Sequence, residues 1–190
     1  MNPRPLDVLF VGDSITEYWQ SDAPEVWQQE FGRLRCVNLG VAGDTTSDVL
    51  ERMMTARLEQ LAPKVTVLLI GTNDISLNDG TPHEIAGRTK LILQILQEKM
   101  PQTKVLLIGV LPREYSPHSP VRDTIRQVND ELSTFEDAKS VSYLDISAGY
   151  LDENGIIPLA LMPDSLHLSD EGYSVWATEM RDTLKTLLES

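Results

Sequence analysis

Along the chain, short and mostly continuous apolar runs alternate with longer stretches in which apolar residues recur every three or four positions. Five of the runs read as strands, over residues 6–11, 36–39, 65–70, 105–110 and 141–144. Their hydrophobicity is continuous rather than alternating, as expected of strands covered on both faces. Helical spacing between them predicts helices over about 26–31, 46–59, 82–99, 121–138 and 170–188. Thr46-Ser47-Asp48 and Ser169-Asp170 mark two helix starts, because their side-chain oxygens can accept the first unpaired backbone N–H groups. This alternation implies βαβ units and an α/β fold, with helices around a doubly wound parallel sheet of five strands. The 190 residues fit one domain spanning 1–190. The segment from Pro112 to Pro120 carries three prolines after an apolar run and reads as a loop.

In a doubly wound sheet the ligand site lies beyond the carboxyl ends of the strands. The polar clusters obey that rule. Gly12-Asp13-Ser14 follows the first run, Gly40-Val41-Ala42-Gly43-Asp44 the second, Gly71-Thr72-Asn73-Asp74 the third and Leu111-Pro112-Arg113 the fourth. All four fall at one edge, whereas unselected polar loops would scatter over both.

The residue types in these loops form a set. A serine hydroxyl attacks an acyl carbon only when a base removes its proton, and the base works when a carboxylate holds its tautomer. Ser14, His167 and Asp164 can fill those roles, with Asp164 and His167 three residues apart in Pro163-Asp164-Ser165-Leu166-His167. A helix N-cap is the simpler role for Ser14 alone, but it does not account for the Asp164/His167 pair. An oxyanion forming at the carbonyl needs preorganised N–H donors. Gly43 can bring its backbone close without a Cβ, and Asn73 offers a neutral amide that does not titrate. Asp13, Asp44 and Asp74 read as loop carboxylates bonded to nearby backbone, since none shares a short loop with a histidine. His83, at a helix start, and His118, in the proline-rich loop, read as surface residues. Ile15 and Leu166 flank the nucleophile and the base, where bulky aliphatic groups would close an acyl pocket after a few carbons.

Composition narrows the partners. The 16 Lys and Arg against 29 Asp and Glu give a formal charge of −13, which provides no positive patch for nucleic acid or an anionic membrane. The lone Cys36 cannot form an internal disulfide and reads as a buried strand residue. No apolar stretch reaches the ~18–20 residues of a membrane span. Neither does the N-terminus carry the ~7–15-residue apolar core of a signal peptide, so the expected location is the cytoplasm. Phosphate-loop, zinc-helix and dinucleotide signatures are absent, and Thr16 stands where the nucleophile elbow of α/β-hydrolases has its second glycine. No metal or other cofactor is implied.

These blocks resemble the SGNH, or GDSL-type, hydrolase superfamily, named for a serine, a glycine, an asparagine and a histidine in separate blocks. The likeness runs in order from about residue 7 to residue 185, with Ile15 in place of the leucine of the GDSL signature. It implies that Ser14 is the nucleophile and an oxyanion donor through its N–H. Gly43 and Asn73 would complete the hole, His167 would be the base and Asp164 its orienting acid. Leu9-Phe10-Val11-Gly12-Asp13-Ser14, Gly43-Asp44-Thr45-Thr46, Leu111-Pro112-Arg113 and Leu166-His167-Leu168 further resemble the catalytic subunits of the intracellular platelet-activating-factor acetylhydrolases. That resemblance implies a flavodoxin-like three-layer α/β/α sandwich, metal-independent hydrolysis of short acyl esters and pairing as a homodimer. The same residues would also serve a carbohydrate O-acetylesterase, an acyl-thioesterase or a lysophospholipase. Outside this class stand a scaffold domain without activity and a flavodoxin-like mononucleotide binder.

Overall fold

The computed structural model describes residues 6–77, 80–137 and 139–190. Its centre is a five-stranded parallel sheet in the order β2-β1-β3-β4-β5, built from β1 (Val8–Gly12), β2 (Cys36–Gly40), β3 (Val65–Leu69), β4 (Lys104–Ile108) and β5 (Val141–Leu144). Around it lie α1 (Ser14–Glu17), α2 (Trp19–Asp22), α3 (Pro24–Phe31), α4 (Thr46–Thr55), α5 (Thr72–Leu77), α6 (Pro82–Lys99), α7 (Pro120–Ser133) and α8 (Asp170–Glu189).

The central strands are mostly apolar because both faces are covered; the polar exceptions are Thr66 in β3 and Lys104 at the start of β4. Leu9, Val11, Leu68, Val105 and Leu107 point to one face and pack with Val49 of α4, Ile85 and Ile92 of α6 and Val128 of α7. Their neighbours Val8, Phe10, Val67, Leu106 and Ile108 point to the other, where Trp19, Phe31 and Trp176 of α2, α3 and α8 meet them. The period of two that divides these residues is the pleat of the strand. At the sheet's edges β2 is only half-buried and β5 is buried only at Val141. These layers are the expected three-layer α/β/α sandwich.

Most element boundaries fall within a few residues of expectation, and the departures have local causes. The helix expected over 46–59 stops at Thr55 because the Lys99 ammonium, from α6, takes the carbonyls of Met53, Met54 and Ala56. Its N-cap is Thr45, one residue earlier than expected, in a capping box with Asp48. The strand expected to reach Val110 ends at Ile108, since the Asn129 side chain replaces a neighbouring strand on both polar groups of Val110. The helix expected over 121–138 ends at Ser133, and its expected last residue, Ala138, lies outside the described residues. α5 was expected as loop; at six residues it is too short to show helical spacing.

β1 and β3 are neighbours, while the chain goes from β1 outward to β2 and from β3 outward to β4 and β5. The loops leaving β1 and β3 therefore diverge and open a crevice at the carboxyl edge. Among the described residues no helix is long and apolar enough to cross a membrane.

Candidate active site

Ser14 leaves β1 as the first residue of α1, 7% exposed. Asp13, rather than Ser14, caps that helix, its Oδ1 accepting the Ile15 N–H at 2.9 Å. Gly12 is required just upstream: a Cβ there would sit 2.4 Å from the Leu69 carbonyl oxygen and 2.2 Å from Thr16 Oγ1.

His167 reaches Ser14 from the far end of the chain. Its Nε2 lies 3.1 Å from Ser14 Oγ, and its Nδ1 lies 2.7 Å from Asp164 Oδ2. With the ring proton on Nδ1 and donated to Asp164, Nε2 is free to accept the serine hydroxyl. The turn that presents both side chains is held by Asp164 Oδ1, which accepts the Leu166 and His167 N–H groups at 3.0 and 2.7 Å. Burial raises the Asp164 pKa, but hydrogen bonds from the His167 ring and from these two N–H groups outweigh it, and the net shift is downward. The carboxylate thus stays ionised beside the ring.

Gly43 and Asn73 are brought to the same edge, and Asn73 is tied to Asp44, the residue after Gly43. The Asn73 side-chain amide donates to the Asp44 carbonyl at 2.9 Å, which leaves its second N–H available. The 40–44 loop is fastened to the segment around Ser14 by Val41 N–H to Gly12 O, 3.1 Å, and Ala42 N–H to Glu17 Oε2, 2.6 Å. Gly43 adopts φ +85°, and the space its Cβ would take is open. Among the described residues the backbone N–H groups of Ser14 and Gly43 donate to no protein acceptor. Three N–H donors, from Ser14, Gly43 and Asn73, are thus unspent at this edge of the sheet.

Ile15 is 2% exposed and packs in the core with Trp19 and Tyr173, so it lies behind Ser14 and presents little surface to an acyl group. Its carbonyl accepts the Tyr173 hydroxyl at 2.8 Å. Leu166 is half-buried against the same cluster, next to His167. Tyr18, which the sequence did not single out, lays its ring 5.7 Å from the His167 ring, centre to centre.

The loop carboxylates do structural work. Asp44 pairs with Arg52 at 2.7 Å. Asp74, fully buried, accepts the Thr46 N–H and hydroxyl and pairs with Arg88 at 3.0 Å, tying the start of α5 to the start of α4. Burial pushes the Asp13 carboxyl up to about 7, against the Ile15 N–H bond, which lowers it. His83 is exposed and pairs with Glu131, and His118 is exposed on the proline-rich loop. Cys36 is half-buried in β2, its thiol pushed up to about 12 by burial. A cleft of about 870 Å³ between α7 and the segment after β5, lined by Arg122, Asn129, Asp145 and Ser147 among others, includes none of Ser14, Asp164 and His167.

Comparison with known proteins agrees with this geometry. The GDSL-like lipase/acylhydrolase family matches residues 10–175. The alpha2 subunits of platelet-activating factor acetylhydrolase IB from Rattus norvegicus and Homo sapiens are each 36% identical over 184 residues, covering 96% of this chain and 78% of theirs. Among solved structures, one described as a putative platelet activating factor from Streptococcus pneumonia superposes with a TM-score of 0.78 at 28% identity, over 97% of this chain and 86% of that one. A putative acylhydrolase from Bacteroides fragilis shares the fold, with a TM-score of 0.80 at 23% identity over 98% of this chain and 91% of that one. This chain belongs to the GDSL-like lipase/acylhydrolase family and is an ester hydrolase.

Proposed function

We propose that the protein is a metal-independent serine esterase that removes short, acetyl-like acyl groups through an acyl-serine intermediate. The observation that carries this reading is the continuous chain from Ser14 Oγ to His167 Nε2 and from His167 Nδ1 to Asp164 Oδ2, at 3.1 and 2.7 Å. His167 takes the Ser14 proton as Oγ bonds to the ester carbonyl carbon. The carbonyl oxygen becomes an anion facing the N–H groups of Ser14, Gly43 and Asn73. Collapse breaks the bond to the alcohol, which leaves with the proton held on His167. Water then repeats the cycle on the acyl-serine, releasing the acid and restoring the hydroxyl.

Leu166 and the Tyr18 ring border the base and support a small acyl pocket. The likeness to subunits named platelet-activating factor acetylhydrolase favours an acetyl ester of a phospholipid-type alcohol over a sugar acetate or a thioester. The same reading places the protein in the cytoplasm as a homodimer, the latter testable by light scattering. Hydrolysis of p-nitrophenyl acetate, butyrate, octanoate and palmitate by the wild type and Ser14→Ala tests the reading. Activity confined to the short esters and lost in the variant is expected. Activity rising toward palmitate would overturn the small pocket, and activity that survives in Ser14→Ala would overturn the nucleophile.

A further inference from the structure

Three non-glycine residues take a left-handed backbone among the described residues, and two of them, Glu114 at φ +64° and Ser165 at φ +61°, are joined by one hydrogen bond. The Glu114 N–H donates to the Ser165 carbonyl at 2.9 Å. Ser165 is the residue after Asp164 and two before His167. Non-glycine residues avoid this conformation, so a pair of them needs support from its surroundings. That support comes from Arg122, 5% exposed, whose Nε donates to the Arg113 carbonyl at 2.6 Å and whose Nη2 donates to the Glu114 carbonyl at 2.9 Å. The Ser119 hydroxyl, at the N-cap of α7, holds the Glu114 carboxylate. Arg113 in turn donates to the Thr72 carbonyl at 3.2 Å and to the Ser76 hydroxyl, both on the helix that carries Asn73.

Arg122 breaks two local rules. It is a buried cation with no carboxylate within ion-pair distance among the described residues, and it lies in the first turn of α7, at the positive end of that helix's dipole. Its planar fork meets two successive carbonyls from two fixed nitrogens, Nε and Nη2, whereas a lysine would have to meet both from one rotating ammonium. We propose that Arg122 is a positioning residue of the esterase. It fixes the turn at Glu114, whose N–H holds Ser165 left-handed and so sets Asp164 and His167 against Ser14. The proposal rests on the serine-esterase reading given above.

The test uses the full chain with Arg122→Gln and Arg122→Lys. Four quantities are followed: kcat and KM on p-nitrophenyl acetate, the rate of fluorophosphonate labelling of Ser14, the downfield proton signal of His167 Nδ1–H, and folding by circular dichroism. Both variants should fold and lose roughly 10- to 100-fold in kcat and labelling rate, the scale of a misplaced catalytic group. KM should hold within about twofold, as expected when ground-state binding is untouched. The downfield signal should broaden or vanish. Adding Ser165→Gly to Arg122→Gln should recover several-fold of the loss, because glycine takes positive φ without the strap. Unchanged labelling in the Arg122 variants, or no recovery with glycine, would overturn the role of Arg122 while leaving the esterase reading intact. No labelling of the wild type would overturn that reading itself. Should neither variant fold, the wild type decides: its Glu114 amide must exchange with solvent on the order of 100-fold more slowly than a free loop amide. Free exchange there would overturn the strap.

Discussion

The two halves of the Ser14–His167 contact are held in place by different physics. Ser14 is fixed from below: Trp19, five residues on, stacks on Trp176 with centroids 4.5 Å apart and on Tyr173 at 5.2 Å, while Phe10 of β1 meets its edge at 5.8 Å. His167 and Asp164 ride on an irregular loop, their side chains 35% and 55% exposed, and are held by hydrogen bonds from three N–H groups. One side is positioned by packed aromatic area, the other by a few directional bonds. Damage to the first should therefore register mainly as lost stability, and damage to the second mainly as lost rate.

The largest effects come from the reacting groups. Ser14→Ala should cut kcat by roughly 10⁵–10⁶-fold with the melting temperature nearly unchanged, since one small hydroxyl is removed from a well-packed site. Next comes the exposed loop, where Asp164→Asn should lower kcat by about 10⁴-fold through loss of the Nδ1 tautomer, again with little change in melting. A large fall in stability with Asp164→Asn would mean the loop is part of the folding unit after all, and the contrast would fail. Asn73→Ala should cost ~10²–10³ in kcat, the usual size for one oxyanion donor. It also frees the Asp44 carbonyl, so a modest fall in melting temperature is expected beside the kinetic loss. On the packed side, Trp19→Ala should destabilise by about 3–5 kcal/mol, read from urea denaturation. The fraction that remains folded should retain measurable serine-dependent activity.

The same division explains what could be read from the sequence. The strands were legible because burial on both faces leaves a mostly continuous apolar run, as in β1 and β3. Ser14, Asn73, Asp164 and His167 stood out because their side chains carry distinctive chemistry, and Gly43 because it lacks one; Ser14, Gly43 and Asn73 follow strands, while Asp164 and His167 lie in the turn before α8. Ile15 was misjudged because adjacency in sequence is not adjacency in space: successive helical residues diverge by about 100°, so a serine facing the crevice turns its neighbour into the core. Arg122 and Glu114 went unnoticed because the guanidinium bonds to backbone carbonyls and Glu114 bonds to Ser165 through its backbone N–H, groups that side-chain identity does not advertise. The available signal was the misfit of an arginine in the first turn of a helix. The end of α4 was beyond local reading altogether, since Lys99 sets it from another helix.

The smallest effect sharpens the comparison furthest, because the two sides carry carboxylates that titrate with opposite sign. Asp13, beside Ser14 in the packed region, is pushed up to about 7 by burial. Between the ordinary carboxylate range near ~4 and about 7, the native protein keeps this proton while the unfolded chain has released it. The native state then binds more protons, and stability falls as pH rises through that window. Asp164, in the exposed loop, is shifted downward. Its contribution is present above the ordinary carboxylate range and is lost only as pH falls through the lowered value. Asp13→Asn keeps an oxygen to accept the Ile15 N–H and has no charge to bury, so its melting temperature should gain on the wild type between pH 4 and pH 8 and converge with it at the acid end. Asp164→Asn should do the reverse by a small margin only, within the little change in melting expected above, lying slightly below the wild type above the carboxylate range and rejoining it in acid. Parallel melting curves for Asp13→Asn and wild type across pH 4–8 would show that the carboxyl beside the nucleophile is already ionised at neutral pH, and that burial does not rule that side of the site.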